Sequence, residues 1–600
     1  MLRLLFIPVI FLMLALTACQ RLPVPQRQDY PLPEDADVST TEPGKYGATF
    51  ISTNSGEPTS FNPLVIEDAD SAEISDMMLS GLTTSDPVTQ ETIPALAKSW
   101  EISADKKQYI FHLRKGVKWS DGQPFTADDV IFSFDVVMAT TRDPKTGQNL
   151  PRFPNRYIQQ YTIAGQPLRY EKIDDYTVRF ITPDLYAPFI NDVGFLGIMP
   201  KHKLAAHLDD DSLLKQWTVE TAINRPASIV STGPFVLLSY RPGDRLILKP
   251  NPHYWRADTQ GQRLPYIDLY IIKFVKDQNA ELVNFATGLT ESSPVSPADV
   301  GWVERGEGTH NYTIHDRGPS SGISFIWFNQ NPGKDPKGKP FVEPYKLKWF
   351  QDSRFRRAIS YGFNREGIVE GVYFSRAKPL HSIISEANIK WYNPDVPQFG
   401  FDRSKALSLL KEAGFTKKGD GKLYDQEGHP VEFDVMLPQG SQTAPQIISS
   451  FKEDMKEMGI GVKLTPIDFG TMIAKTSQSF DYEASIMGFT GGGDPSGGKA
   501  IYKSDGRLHV WNPGQKKPAT PWEARVDELM ALQEKTFDPV QRKAYIDEMQ
   551  VLFAEERPLI YLVTPNAYIG LKNKWRNTLK NSRGYMTFRL EELWAEKELP

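Results

Sequence analysis

Six hundred residues, at roughly 150 per domain, set an expectation of about four structural units, and 40% apolar with 24% charged residues is ordinary globular composition. Forty-six prolines and 43 glycines are spread along the chain and aromatics reach 12%, which excludes collagen-like, coiled-coil and disordered readings. A formal charge of -5 offers nucleic acid no basic field, and a mean hydropathy of -0.41 excludes a polytopic membrane protein.

The chain holds 1 cysteine, so it has no intrachain disulfide and no Cys-based structural zinc site. Met1 to Arg3 form a short basic start. Leu4 to Ala18 are uncharged and apolar but too few to span a bilayer at about 20 residues, so residues 1–18 are expected to be a secretory signal peptide. Leu16-Thr17-Ala18-Cys19 resembles the bacterial lipobox, which implies that Cys19 is lipidated and becomes the new N-terminus. More than one acyl chain there would tether an exported body stably to the membrane, facing the periplasm or cell exterior. Residues 19–45 are Pro-rich and polar and are expected to be an extended spacer outside any core.

From Tyr46 the pattern turns globular. YGATFIST reads as a strand, and Ile74, Met77, Met78 and Leu82 fall at helical spacing. Gln108 to Arg114 alternates as a strand, and Thr126 with Asp129 forms a capping box ahead of a helix carrying Val130, Phe134 and Val137. Ser231 to Pro250 reads as a hairpin about Arg241-Pro242-Gly243-Asp244, with another strand, YIDLYIIKFV, after it. Strands at Ile323 to Asn329, VEFDVML, VKLTPID and Asp481 to Phe489 alternate with helices at Asp352 to Phe363, Ser404 to Ala413 and Gln446 to Met458. Two helices between Trp522 and Glu556 and a strand from Pro558 to Thr564 complete an α/β chain without internal repeats.

Chemistry-bearing motifs are few. Gly493 to Lys499 has P-loop spacing, but Ala500 replaces the hydroxyl that would hold Mg²⁺ and Pro495 removes an amide, so the segment reads as a glycine-rich loop. HExxH, CxxC and GxSxG are absent, and His381 and His509 read as structural or surface residues. Paired carboxylates need not be close in sequence, so 74 acids leave a secreted glycoside hydrolase open as an alternative. Trp327, Phe328, Trp391, Phe489, Trp511 and Trp522 lie at strand ends or in loops, positions from which aromatics either pack a core or line a cleft.

Ala97 to Phe134, with Ser99-Trp100, Leu113-Arg114-Lys115-Gly116, Lys118-Trp119-Ser120-Asp121-Gly122 and Ala127-Asp128-Asp129-Val130, closely resembles the signature of family 5 extracellular solute-binding proteins, the peptide-binding components of ABC importers. Gly56 to Pro63, Thr232 to Phe235, Asn251 to Trp255 and Phe355 to Phe363 carry the likeness onward. The resemblance implies a two-lobed, type II periplasmic-binding-protein clamshell with an extra domain inserted in the larger lobe. The core of lobe 1 is then expected at 46–92, 225–312 and 565–600, the inserted domain at 93–224 and lobe 2 at 313–564, with hinge crossings near 312–324 and 557–564. It also implies a monomer without cofactor or metal, without catalytic residues, serving an ABC permease and its ATPases.

By the same resemblance, Glu67, Asp68 and Ala69 would pair with the backbone of a bound peptide in the manner of an added strand. Trp327, Phe489 and Trp511 would wall the cleft, with Asn512 beside them. Peptide-binding relatives carry an Asp after the Glu483 to Phe489 strand that meets the α-ammonium. Here Thr490, Gly491, Gly492 and Gly493 occupy that stretch and Asp494 comes late. Either Asp494 serves, or the ligand lacks a free amine, or the glycines make room for bulk. A peptide-holding chaperone or receptor on the same fold shares these features.

Overall fold

The computed structural model describes residues 26–578 and 589–596, apart from 67, 145–146, 154, 156, 159, 209–211 and 440–442. The expected signal peptide at 1–18, Cys19 and Glu67 lie outside the described residues.

The first sheet begins with Thr49–Asn54, parallel to Leu269–Phe274, and continues antiparallel through Arg245–Pro250 to Phe235–Arg241. Its hairpin turns at Gly243, whose φ of 71° is strained for any residue carrying a Cβ. A second, antiparallel sheet runs Ala97–Ile102, Gln108–Leu113, Thr177–Ile181, Arg169–Asp174. Tyr109, Phe111 and Leu113 alternate inward from it against the helix Ala127–Met138, which starts with the expected Thr126/Asp129 capping box. Phe134, Phe180 and Phe189 interlock there, and a single apolar core continues from this sheet into the first. The two sheets therefore form one larger lobe.

The other lobe is built on a five-stranded sheet in the order Gly461–Ile467, Glu432–Pro438, Ala484–Phe489, Ile323–Phe328, Leu559–Tyr561. One face packs against Ser353–Gly362 and Ala444–Glu457, the other against Pro521–Lys535 and Pro539–Glu556. Burial on both faces explains why Phe325 to Phe328 are apolar without alternation.

A small sheet of Ser292–Val295, Val563–Lys572, Tyr312–Pro319 and Ala377–Pro379 stands between the lobes. The chain leaves Tyr312–Pro319 to enter Ile323–Phe328, and returns from Leu559–Tyr561 into Val563–Lys572. The expected strand at Pro558 to Thr564 is thus divided at Leu562, whose N–H donates to Ser324 O at 3.0 Å and staples the two passages together.

The expected free spacer is not observed over residues 26–45. This segment is strapped to the larger lobe. Arg27 donates to the carbonyls of Pro265, Tyr266 and Ile267 at 2.8, 2.8 and 3.0 Å, pairs with Asp268 at 3.0 Å and lies 3.9 Å from the Tyr46 ring centre. Asp37–Val38 pairs parallel with Arg256–Ala257, and Arg114 and Arg256 both reach the Asp37 carboxylate. The docking uses carbonyls and ion pairs rather than an apolar stripe, so a search for hydrophobic periodicity misses it.

Candidate functional site

The two lobes meet along a seam in which loops of the larger lobe at 90–91 and 184–187 face residues 387–390 and 534–535 of the other lobe. Gln90 Nε2 donates to Ala387 O at 2.8 Å, and Lys390 pairs with Glu91 at 2.9 Å. Farther along, Ala187 N–H donates to Glu534 O at 2.6 Å, and Lys535 pairs with Asp184 at 2.7 Å. Between these contacts lies an acidic pair. Asp192, in the larger lobe, is buried and accepts from Tyr186 Oη at 2.6 Å. Burial pushes its carboxyl up to about 6; the Tyr186 bond and Lys499 oppose this, and the negative charge of Asp494 across the seam adds to it. Lys499, the P-loop-like lysine, pairs with Glu534 at 3.0 Å and lies 5.1 Å from the Tyr186 ring centre, so it has a structural role at the seam.

The glycine-rich loop borders this seam. Asn388 Nδ2 donates to Gly492 O and Gly493 O at 3.0 and 2.8 Å, and Asn388 adjoins Ala387, which meets the other lobe. A Cβ on Gly491 would fall 2.1 Å from Ser321 O, so glycine there permits the loop to lie against the first crossing. A Cβ on Gly492 or Gly493 would meet nothing within 4 Å. Thr490 is exposed, and Phe489 is half-buried against Phe325 with ring centres 4.9 Å apart.

Asp494 is engaged within its own lobe. Both its oxygens accept from Arg542, at 2.9 and 2.6 Å, and Oδ1 also caps Ser496 N–H at 2.9 Å. In lobe 1, Asp68 is the N-cap of Ala69–Met78; it accepts from Ser71 N–H at 2.7 Å and from the hydroxyls of Ser71 and Thr59 at 2.8 and 2.5 Å. Burial works against its ionisation, but these bonds outweigh burial and hold the carboxyl below the usual range. Ala69 is exposed at the first turn.

Trp327 and Trp511 do not present the walls expected of them. Both are 0% exposed. Trp327 sits on a strand paired on both sides, its indole donating to Tyr482 Oη at 3.2 Å. Trp511 is enclosed by His509 and Trp522 and donates to Glu523 at 3.3 Å. Asn512 is buried beside it, bonded to Gln515 at 2.6 Å. In this knot His509 lies 3.1 Å from Glu523. Burial pushes the Glu523 carboxyl up, yet bonds from His509, Thr520 and Trp511 bring it down to about 2.

Asn388, Tyr186, Asp192 and Lys499 are the seam residues that sequence reasoning missed as a group; they come from loops and four-residue helices, too short to carry a periodic signal. A cavity of about 40 Å³ beneath the helix Ala69–Met78, bordered by Ile66, Ser75, Asp76, Tyr157 and Phe195, holds little more than water. Among the described residues no His, Cys, Asp or Glu group is placed to hold a metal ion, and no helix is long and apolar enough to cross a membrane.

Two separately cored α/β lobes, two adjacent crossings and a polar seam define a two-lobed, type II periplasmic-binding-protein fold. Residues 91–506 match the bacterial extracellular solute-binding proteins, family 5 (middle region), and the chain belongs to that family, whose members are binding proteins and not enzymes. It is 29% identical over 566 residues to a probable ABC transporter-binding protein of Deinococcus radiodurans, covering 89% of this chain and 90% of that one. It is 27% identical over 463 residues to the dipeptide-binding protein of Escherichia coli, covering 74% and 77%. The structure of the oligopeptide-binding protein AppA from Bacillus subtilis in complex with a nonapeptide shares the fold, with a TM-score of 0.70, 24% identity and coverage of 92% and 100%.

Proposed function

We propose that the protein is an extracytoplasmic substrate-binding lipoprotein of an ABC importer, capturing a peptide or peptide-like solute between its lobes and delivering it to a membrane permease driven by ATPase subunits. The observation that carries this reading is mechanical. Each lobe has its own core, and among the described residues the chain crosses between them at the adjacent passages 320–322 and Leu562. Beyond these, polar contacts of the seam and Phe537 against the larger lobe's core link the two, so one lobe can rotate on the other without disrupting the bulk of either core. The seam closes through exposed ion pairs and single hydrogen bonds, each contributing about 1 kcal/mol or less, so ligand contacts can decide between open and closed.

Within this reading, 93–224 is the inserted domain, and residues 67–69 and the Thr490–Gly493 loop offer backbone to the ligand from opposite lobes. Phe489 supplies apolar surface. Asp494 is neutralised by Arg542, so the ligand's amine, if it has one, finds its counter-charge elsewhere. Cys19 carries the lipid. The described body begins at Gln26, seven residues later, at most about 25 Å of extended chain, which would hold a monomeric body close to the bilayer.

A thermal-shift screen on the body tests the function. A ligand at 100 times its Kd adds about 2.7 kcal/mol of stability, and peptides should produce the shift. If peptides, opines, oligosaccharides, glutathione and Ni²⁺ chelates all leave the melting curve unmoved, the reading fails.

A further inference from the structure

Behind the second crossing, lobe 2 buries positive charge without an opposing carboxylate. Arg557 is 0% exposed and Arg365 is 1% exposed. Arg365 is saturated by protein, donating to the carbonyls of Tyr561, Ser360 and Phe399 and to the Ser360 hydroxyl. Arg557 is not. Among the described residues its guanidinium makes one hydrogen bond, a long one, Nη2 to Pro397 O at 3.5 Å, and neither Nε nor Nη1 has a partner. The Tyr561 hydroxyl and His381 Nδ1 are likewise buried without a partner.

The guanidinium of Arg557 lies 3.8 Å from the Phe399 ring centre and 5.3 Å from that of Tyr561, so aromatic faces offset part of its charge. They do not satisfy its N–H groups. The nearby acid Glu556 turns toward Arg356 and Arg357, at 3.8 and 3.9 Å. Burial, then the repulsion of Arg365, draws Arg557 down to about 9; burial followed by Arg365 and Arg557 draws His381 down to about 3. At neutral pH both arginines are therefore charged and His381 is neutral, able to donate one hydrogen bond through its ring N–H. The backbone adds a second anomaly. Arg557 follows the helix Pro539–Glu556 with φ 49° and ψ 47°, a left-handed position that glycine or asparagine ordinarily takes, so this chain accepts strain to aim a long cation inward.

An isolated buried cation is among the costliest features a fold can carry, and unpaired buried donors call for a partner. We propose that Arg557, with the Tyr561 hydroxyl and His381 beside it, forms a binding site for a small monovalent anion of halide size. The anion neutralises the guanidinium whose N–H groups the protein leaves unsatisfied and ties the end of the helix to the crossing that follows it.

The test uses bromide. Crystals of the whole body grown or soaked in sodium bromide should give an anomalous peak at the bromine edge within hydrogen-bonding reach of Arg557 Nε or Nη1. In solution, replacing sodium gluconate by sodium bromide at constant ionic strength should raise the Tm of the wild type saturably, and the Arg557→Met protein should lose that dependence. An anomalous map with only ordered water at Arg557, or equal bromide dependence in wild type and variant, overturns the proposal. Should Arg557→Met fail to fold, the wild-type anomalous map decides alone.

Discussion

Asp494 and Arg542 form a two-pronged ion pair, Nη1 to Oδ2 at 2.9 Å and Nη2 to Oδ1 at 2.6 Å, that Ser496 and Gln533 extend into a closed network. Both side chains are about nine-tenths buried. Removing one partner of such a pair strands the other's charge. Asp494→Asn should therefore cost about 3 kcal/mol, read as a lower unfolding midpoint. It should change peptide affinity less than tenfold, because its charge is already spent inside lobe 2. A hundredfold loss of affinity for a peptide with a free amine, without destabilisation, would make Asp494 the ligand's anchor instead.

The neighbouring glycines separate packing from binding. Gly491→Ala forces a Cβ onto the Ser321 carbonyl and should destabilise the fold by about 1–3 kcal/mol. Gly492→Ala meets open space and should alter stability by less than about 0.5 kcal/mol. If the loop faces ligand, Gly492→Val lowers affinity with Tm unchanged; identical binding by both Gly492 variants would take the loop out of the site.

The strap makes a stability prediction. Arg27→Ala deletes three hydrogen bonds to carbonyls and an ion pair, and should cost about 2–4 kcal/mol. Hydrogen exchange locates the effect. The amides of Asp37 and Ser39, which donate to Trp255 O and Ala257 O, should lose protection first. Unchanged protection there would show that the strap is held by its ion pairs at Asp37 and not by Arg27.

Asp192 sets a pH dependence at the seam. Its carboxyl is raised from 3.8 to about 6, so between these values the folded protein keeps a proton that the unfolded chain releases. Its contribution is present below about pH 4 and is lost as pH rises through 6. Relative to wild type, Asp192→Asn should therefore gain on the order of 3 kcal/mol between pH 4 and pH 7. Unfolding of both proteins across that range checks it, and a constant difference would contradict it.

Much of the fold was legible because its elements announce themselves locally. The Thr126/Asp129 capping box, the Gly243 turn and the apolar run Phe325 to Phe328 each specify their own element. The site was less legible. Trp327 and Trp511 carry the same sequence signal whether they line a cleft or fill a core, and only burial distinguishes the two. Asp494 looked available because Arg542, 48 residues away, is invisible as its partner in sequence. The 26–45 strap was missed for the related reason that carbonyl-bound segments have no apolar period.

The central claim is capture of a peptide between the lobes. Native mass spectrometry of the body after exposure to an equimolar mixture of short peptides, oligosaccharides and Ni²⁺ chelates tests it most directly. The account predicts one added mass per chain, matching a peptide recovered intact. Retention of a sugar or a chelate in place of peptide, or of nothing, would contradict it.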